Sequence, residues 1–251
     1  MSKRVQNENG SHSYINNKGE VVPTVTTILD IINEGEGLKI WANSLGLDGI
    51  RYMKAKSYYT TLGSAVHALI AHKLGGLELE NIDIGESSLE LKRNIAILYK
   101  YFMQWAEQCK PKMLKNEYVV IGDRYGGTID AIFEQDGKII LGDFKTSKYV
   151  FYDKFLQLGG YLNILEETKS KLYKKITHCQ IIACNIETGI TVTEIPVKKM
   201  TKYRHGMEYA YALYTGCKLL DKEFKKDAYK ISLIPPDVRF DERGNLINDK
   251  R

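Results

Sequence analysis

No stretch of this chain approaches the ~18 consecutive apolar residues that span a membrane, and its first residues lack the basic-then-apolar order of a secretory signal. A soluble, cytoplasmic protein with no membrane partner is therefore expected. Cysteine is sparse. Cys109, Cys179, Cys184 and Cys217 are scattered, with no Cys-x-x-Cys pair, which speaks against a zinc ribbon or a dithiol redox motif. In a reducing compartment such thiols stay free and mostly buried. Charge is not lopsided either: 36 Lys and Arg against 31 Asp and Glu give a net +5 and a pI near 8.8, which permits a nucleic-acid partner without demanding one. With no internal repeats and no low-complexity linker, 251 residues at 43% apolar content fit one large domain, or a core with an appended helical part.

What the chain does have is a pair of aspartates placed symmetrically about a turn. Asp136-Gly137 separates Gly127–Gln135 from Lys138–Lys145, and Asp-Gly between two β-prone runs is a strong signal for a two-residue type I′ hairpin. Such a turn pairs Gln135 with Lys138 and, counting outward, Asp130 with Asp143. Directly opposed residues have Cβ atoms about 4.5–5.5 Å apart, where like charges repel. Thr128 and Lys145 share the aspartates' face, because side chains alternate along a strand. The other face reads Ile129, Ala131 and Phe133 against Phe144, Gly142 and Ile140, wholly apolar. Two carboxylates can coexist on a solvated sheet face. Here, however, Ile132, Ile139 and Leu141 lie beside them, so the face is at least partly covered, and a cation between the carboxylates relieves the cost of burying charge.

Two flanking helices add candidates. Gly63 and His67 lie one turn apart in a helical run from about Thr61 to Leu74 that stops at Gly75-Gly76. Gln157 and Tyr161 are one turn apart in a helix expected from Tyr152 to Thr168. Either pair alone also suits an ordinary amphipathic helix. Glu117 opens the preceding strand and is a candidate accessory metal or water ligand, or a plain exposed strand-end glutamate. His72 and His178 have no partner pattern and receive no role.

Taken in order, Gly63-x-x-x-His67, Gly127-Thr128-Ile129-Asp130, Asp143-Phe144-Lys145 and Gln157-x-x-x-Tyr161 resemble the PD-(D/E)XK nuclease superfamily in its RecB-like branch. That branch includes RecB-type nuclease domains, CRISPR-associated exonucleases, the mitochondrial genome-maintenance exonuclease and many phage exonucleases. Residues 22–29 and 38–42 also look like the amino-terminal region of the phage and mitochondrial members, so the resemblance covers about residues 20–165. It implies that His67, Asp130, Asp143 and the backbone carbonyl of Phe144 hold one or two Mg²⁺ or Mn²⁺ ions. Lys145 would orient or activate the attacking water, with Gln157 and Tyr161 bracing the site or touching DNA. The family more often has glutamate where Asp143 stands. Some RecB-like nucleases bind an iron–sulfur cluster through one cysteine before the core and three near the C-terminus; that layout is missing, and no cluster is expected. The resemblance implies a metal-dependent DNA exonuclease of phage or mobile-element replication, recombination or repair, with a phage recombination or replication protein as a partner. The alternatives are a structure-specific or nicking endonuclease and a non-catalytic DNA-binding scaffold.

The expected fold is α/β: a restriction-endonuclease-like mixed β-sheet core flanked by helices, with a helical N-terminal part arching over the active site. The divisions are a polar arm (1–20), a helical part contributing His67 (21–110), the nuclease core (111–230) and a polar tail (231–251). Helices are expected at 24–33, 38–45, 48–59, 61–74, 152–168 and 201–224, with another opened by a Ser87-x-x-Glu90 capping box and running to 109. Strands are expected at 117–121, 127–135, 138–146, 176–186 and 189–197. Lysines 148, 154, 169, 171, 174 and 175, with 222, 225 and 226, can flank a strand-binding groove. Among the 17 tyrosines, Tyr52, Tyr58, Tyr59, Tyr99, Tyr101, Tyr149 and Tyr152 are either base-stacking platforms or ordinary half-buried aromatics.

Overall fold

The Asp136-Gly137 turn takes positive φ at both residues, 49° and 73°, as a type I′ turn requires. It joins β5 (Gly126–Gln135) to β6 (Lys138–Lys145) in the register read from the sequence, Gln135 opposite Lys138 and Ala131 opposite Gly142. The computed structural model describes residues 2–6, 12–33, 36–76, 88–227, 239–240 and 246–247. The chain divides into two compact units, residues 1–213 and 214–251.

In the first unit, β4 (Lys112–Ile121), β5, β6, β7 (His178–Asn185) and β8 (Gly189–Pro196) form a five-stranded sheet in that order. Only the β6–β7 pairing is parallel, because α5 (Tyr152–Glu167) carries the chain back between them. The result is a mixed sheet flanked by helices, the architecture of a restriction-endonuclease-like fold. A small sheet of β1 (Lys3–Gln6), β2 (His12–Ile15) and β3 (Val21–Val22) precedes it. Next come α1 (Val25–Asn33), α2 (Glu36–Leu47), α3 (Tyr52–Gly75) and α4 (Leu89–Cys109). A last helix, α6, runs Thr201–Asp227. The second unit includes a two-residue antiparallel pair, Arg239–Phe240 with Leu246–Ile247; the rest of the expected polar tail lies outside the described residues.

The apolar face of the hairpin packs as its pattern dictates. Ala131, Phe133, Ile140 and Phe144 join Leu62, Val66 and Ile70 of α3 and Leu98, Phe102 and Trp105 of α4 in one buried cluster. Helix α5 covers the opposite side of the sheet, where Ile132 and Leu141 are fully buried. Two helices expected at 48–59 and 61–74 are instead the single α3. Nothing at Thr60-Thr61 interrupts it, since the Thr61 hydroxyl donates to the Ser57 carbonyl (3.0 Å) within the helix. Gly76 ends it in the left-handed conformation, φ 67°, and its N–H returns to His72 O. Ser87 falls outside the described residues; α4 is capped by Ser88, whose Oγ accepts the Leu91 N–H at 3.2 Å.

Two glycines separate packing from function. A Cβ at Gly159 would lie 2.8–2.9 Å from the backbone of Tyr203 and Arg204 in α6, atoms that cannot move without shifting a helix. At Gly63 a Cβ would meet only Thr146 Oγ1 at 3.5 Å, an ordinary contact. Gly159→Ala is therefore expected to cost about 2–3 kcal/mol in a denaturant titration. Gly63→Ala should be neutral or stabilise by up to about 1 kcal/mol, because it improves helix propensity. Equal effects would contradict this reading of the α5–α6 contact.

Candidate active site

The site forms where the β5–β6 ladder ends. A continued ladder would send the Phe144 N–H to a backbone carbonyl of β5; it goes instead to Asp130 Oδ2 at 2.8 Å. Asp130 is thereby fixed beside the carboxylate opposite it by count, and the Phe144 ring drops into the core. There it meets Phe102, Trp105 and the His67 ring edge to face, with centroids 5.6, 5.8 and 6.5 Å away. Helix α3 brings His67 Nδ1 to 3.6 Å from Asp130 Oδ2. It is docked on β4 through Asn116, whose Nδ2 donates to Ala71 O at 2.8 Å.

Glu117 follows Asn116 and is not the exposed strand-end residue that the sequence allows. It lies inside β4, between the pairs Asn116–Ala131 and Tyr118–Ile129, hence opposite Asp130. Its φ is 46°, in the left-handed region, where an L-residue is disfavoured by roughly 1–2 kcal/mol. Strain of this kind concentrates at functional sites. His67, Glu117 and Asp130 are half-buried and present ligand atoms within 4.8 Å of one another.

Asp143 faces a different set of partners. Lys145 Nζ stands 2.7 Å from both of its oxygens, donating a hydrogen bond to Oδ1. Gln157 Nε2 reaches the same Oδ1 at 3.2 Å and the Tyr161 hydroxyl at 3.1 Å. The other oxygen, Oδ2, is buried with no well-aligned donor. With Asp143 only 1% exposed, burial and the nearby Asp130 push its carboxyl up to about 6 despite the lysine. Burial works to lower the Lys145 ammonium, but Asp143 and Asp130 raise it overall. The Tyr161 phenol is pushed well above its ordinary range by burial and the same two aspartates, so it stays neutral.

Two carboxylates, one imidazole and a further buried carboxylate with an orphaned oxygen make a donor set suited to a hard divalent cation such as Mg²⁺ or Mn²⁺. The nearest three donors are His67, Glu117 and Asp130, while Asp143 leans towards Lys145 and Gln157. The backbone of Phe144 touches the site through its N–H.

Sequence reasoning missed two contributors. Tyr14, in the polar arm, is buried over Gly126, and its hydroxyl is 2.8 Å from Thr128 Oγ1 on the Asp130 face. Asp153, in the first turn of α5, is buried with Oδ1 unpartnered and Oδ2 paired to Lys154 at 2.6 Å, and its charge helps to raise Lys145. An acidic residue in a first turn looks like simple helix capping, and a tyrosine among polar residues gives no signal at all. Of the lysines expected to flank a groove, Lys148, Lys154 and Lys225 each face a carboxylate. A cleft of about 840 Å³ includes none of the site residues. Its arginines are matched by glutamates, Arg124 with Glu208 and Arg204 with Glu166. Cys179 and Cys184 are buried in β7, with both thiols pushed up by burial. Among the described residues no helix is long and apolar enough to cross a membrane.

No protein-family model and no curated protein matches the chain. Among solved structures, a candidate exonuclease from Eubacterium rectale aligns over 69% of this chain and 77% of its own, at 13% identity and a TM-score of 0.37. An alkaline exonuclease from Laribacter hongkongensis aligns over 69% of this chain and 100% of its own, at 8% identity and a TM-score of 0.28. At these values the likeness assigns neither family nor activity.

Two outcomes follow from the geometry. A raised carboxyl binds its proton more tightly in the folded state. Its contribution to stability is therefore present below the ordinary carboxylate value and lost as pH rises from about 4 through about 6. In EDTA, Asp143→Asn should abolish that loss, so the variant gains on the parent across this window; parallel denaturation profiles would remove Asp143 as its source. Relief of backbone strain should make Glu117→Gly about 1 kcal/mol more stable than Glu117→Ala, and the reverse order would show that the left-handed φ is not strained.

Proposed function

We propose that the protein is a divalent-metal-dependent deoxyribonuclease of the PD-(D/E)XK type, RecB-like branch, acting as an exonuclease. The observation that carries this reading is the meeting of the buried Asp143–Lys145 pair with the His67–Glu117–Asp130 donor cluster at one end of the sheet. The order of motifs in the sequence supports it independently. The setting in phage or mobile-element replication, recombination or repair, and a phage-encoded partner, rest on the resemblance alone.

His67, Glu117, Asp130 and Asp143 would hold Mg²⁺ or Mn²⁺, with the Phe144 carbonyl as a further ligand. A bound ion would lower the pKa of the attacking water and offset charge on the phosphoryl oxygens. Lys145, kept as an ammonium by Asp143 and Asp130, is suited to donating hydrogen bonds to that water and to the phosphate, and unsuited to accepting a proton. Gln157 acts through Asp143, donating to Oδ1, and the Tyr161 hydroxyl accepts from the same amide and so steadies it.

End-labelled linear DNA and covalently closed circles, incubated with Mg²⁺ or Mn²⁺, test this directly. Short products from linear DNA alone, abolished by EDTA, are the expected result. Cutting of circles would point to an endonuclease, and no cleavage of any substrate to a scaffold. Lys145→Ala should lower the single-turnover rate roughly 10²–10⁴-fold while DNA affinity in Ca²⁺ is nearly unchanged. Asp130→Asn should abolish cleavage with the fold intact. A normal rate in either variant overturns the assignment of that residue.

A further inference from the structure

Directly after Lys145 the chain presents three exposed rings in four residues. Tyr149, Phe151 and Tyr152 are 62%, 62% and 63% exposed. Isolated surface aromatics are ordinary, but a contiguous set marks a binding surface. The Tyr149 and Phe151 rings lie 6.2 Å apart and tilted by 47°, with Lys148 Nζ 5.8 Å from the Tyr149 centroid. Lys148 is also paired with Glu187 at 2.5 Å, and Glu187 lines a small cavity with Thr146, Tyr58 and Tyr59. Tyr59 is itself 52% exposed. Tyr58 and Tyr59 also line the neighbouring groove of about 620 Å³, which carries the cations Arg51 and Lys54 against one acid, Glu90. The exposed rings after Lys145 are thus linked, through Lys148 and Glu187, to a cavity lined by Thr146 and by the Tyr58 and Tyr59 rings.

We propose that this surface seats single-stranded DNA, whose bases stack on Tyr149, Phe151, Tyr152 and Tyr59 while Arg51 and Lys54 track its phosphates. The proposal rests on the nuclease reading and names the substrate class of that site. Stacked rings need the face of a base, which a duplex hides between neighbouring pairs. Alternating rings and cations are the means by which proteins hold single strands without reading sequence. A protein partner would use the same rings, but would not need the Arg51 and Lys54 cations beside Tyr59.

The test is fluorescence anisotropy in Ca²⁺ with labelled oligothymidylate and with a blunt duplex of equal length. The parent should prefer the single strand. Combining Tyr149→Ala, Phe151→Ala and Tyr152→Ala should weaken single-strand binding by at least about tenfold, leaving duplex affinity and the melting temperature unchanged. In the single variant Phe151→Trp, oligothymidylate should quench the introduced indole beyond the background of Trp41 and Trp105. Unchanged single-strand affinity, an equal loss on duplex, or an unquenched indole each overturns the platform. Binding with quenching but no Mg²⁺-dependent cleavage would leave the platform standing and remove the nuclease reading. Cleavage without quenching would do the opposite.

Discussion

A carboxylate shut away from water is the constraint around which this molecule is arranged. Asp143 is 1% exposed, and an ionised group in such a place is unfavourable by several kcal/mol unless something answers its charge. Lys145, two residues further along the same strand, answers part of it. Gln157 answers one oxygen through a hydrogen bond, and the second oxygen has the ammonium 2.7 Å away but no aligned donor. Evolution could have removed the difficulty with leucine. A buried acid with an oxygen that no aligned donor satisfies, next to a second acid, is the feature on which the proposed metal-dependent reading leans.

The second requirement is that the receiving cage be stiff. Phe144 supplies that stiffness by serving two structures at once. Its N–H pins Asp130 and its ring is clasped among Phe102, Trp105 and His67. Movement of the Asp130 carboxylate would therefore disturb that buried apolar cluster, whose packing resists displacement. Helix α3 is bound into the same cluster by Leu62, Val66 and Ile70 and to β4 by Asn116. His67 and Glu117, 50 residues apart in sequence, are thus brought together by one docking event.

Those features that depend on local chemistry were legible in the sequence. The Asp-Gly turn fixed the register, the alternation of apolar residues assigned the buried face, and the i, i+4 spacing of Gln157 and Tyr161 put both on one face of a helix. Long-range features were not. The left-handed φ of Glu117 and its place opposite Asp130 appear only in the folded sheet, so in sequence the residue read more readily as an exposed strand end. The two helices expected at 48–59 and 61–74 are one, because burial of α3 against the sheet overrides the small helix-propensity cost of Thr60 and Thr61. Tyr14 acquires its meaning only when Gly126 leaves room for its ring.

The costs and gains fall in different places. Strain at Glu117 and desolvation at Asp143 both lie at the polar end of the strands. The compensating burial lies one residue away on the opposite face, in Ala131, Phe133, Ile140 and Phe144. Because side chains alternate along β5 and β6, the same backbone that carries the unfavourable carboxylates also carries the apolar contacts that hold them in place. A one-residue slip in register would send the carboxylates into the core and the phenylalanines into the site. Register is therefore specified twice, by the turn and by the core, and the proposed chemistry inherits its precision from that redundancy.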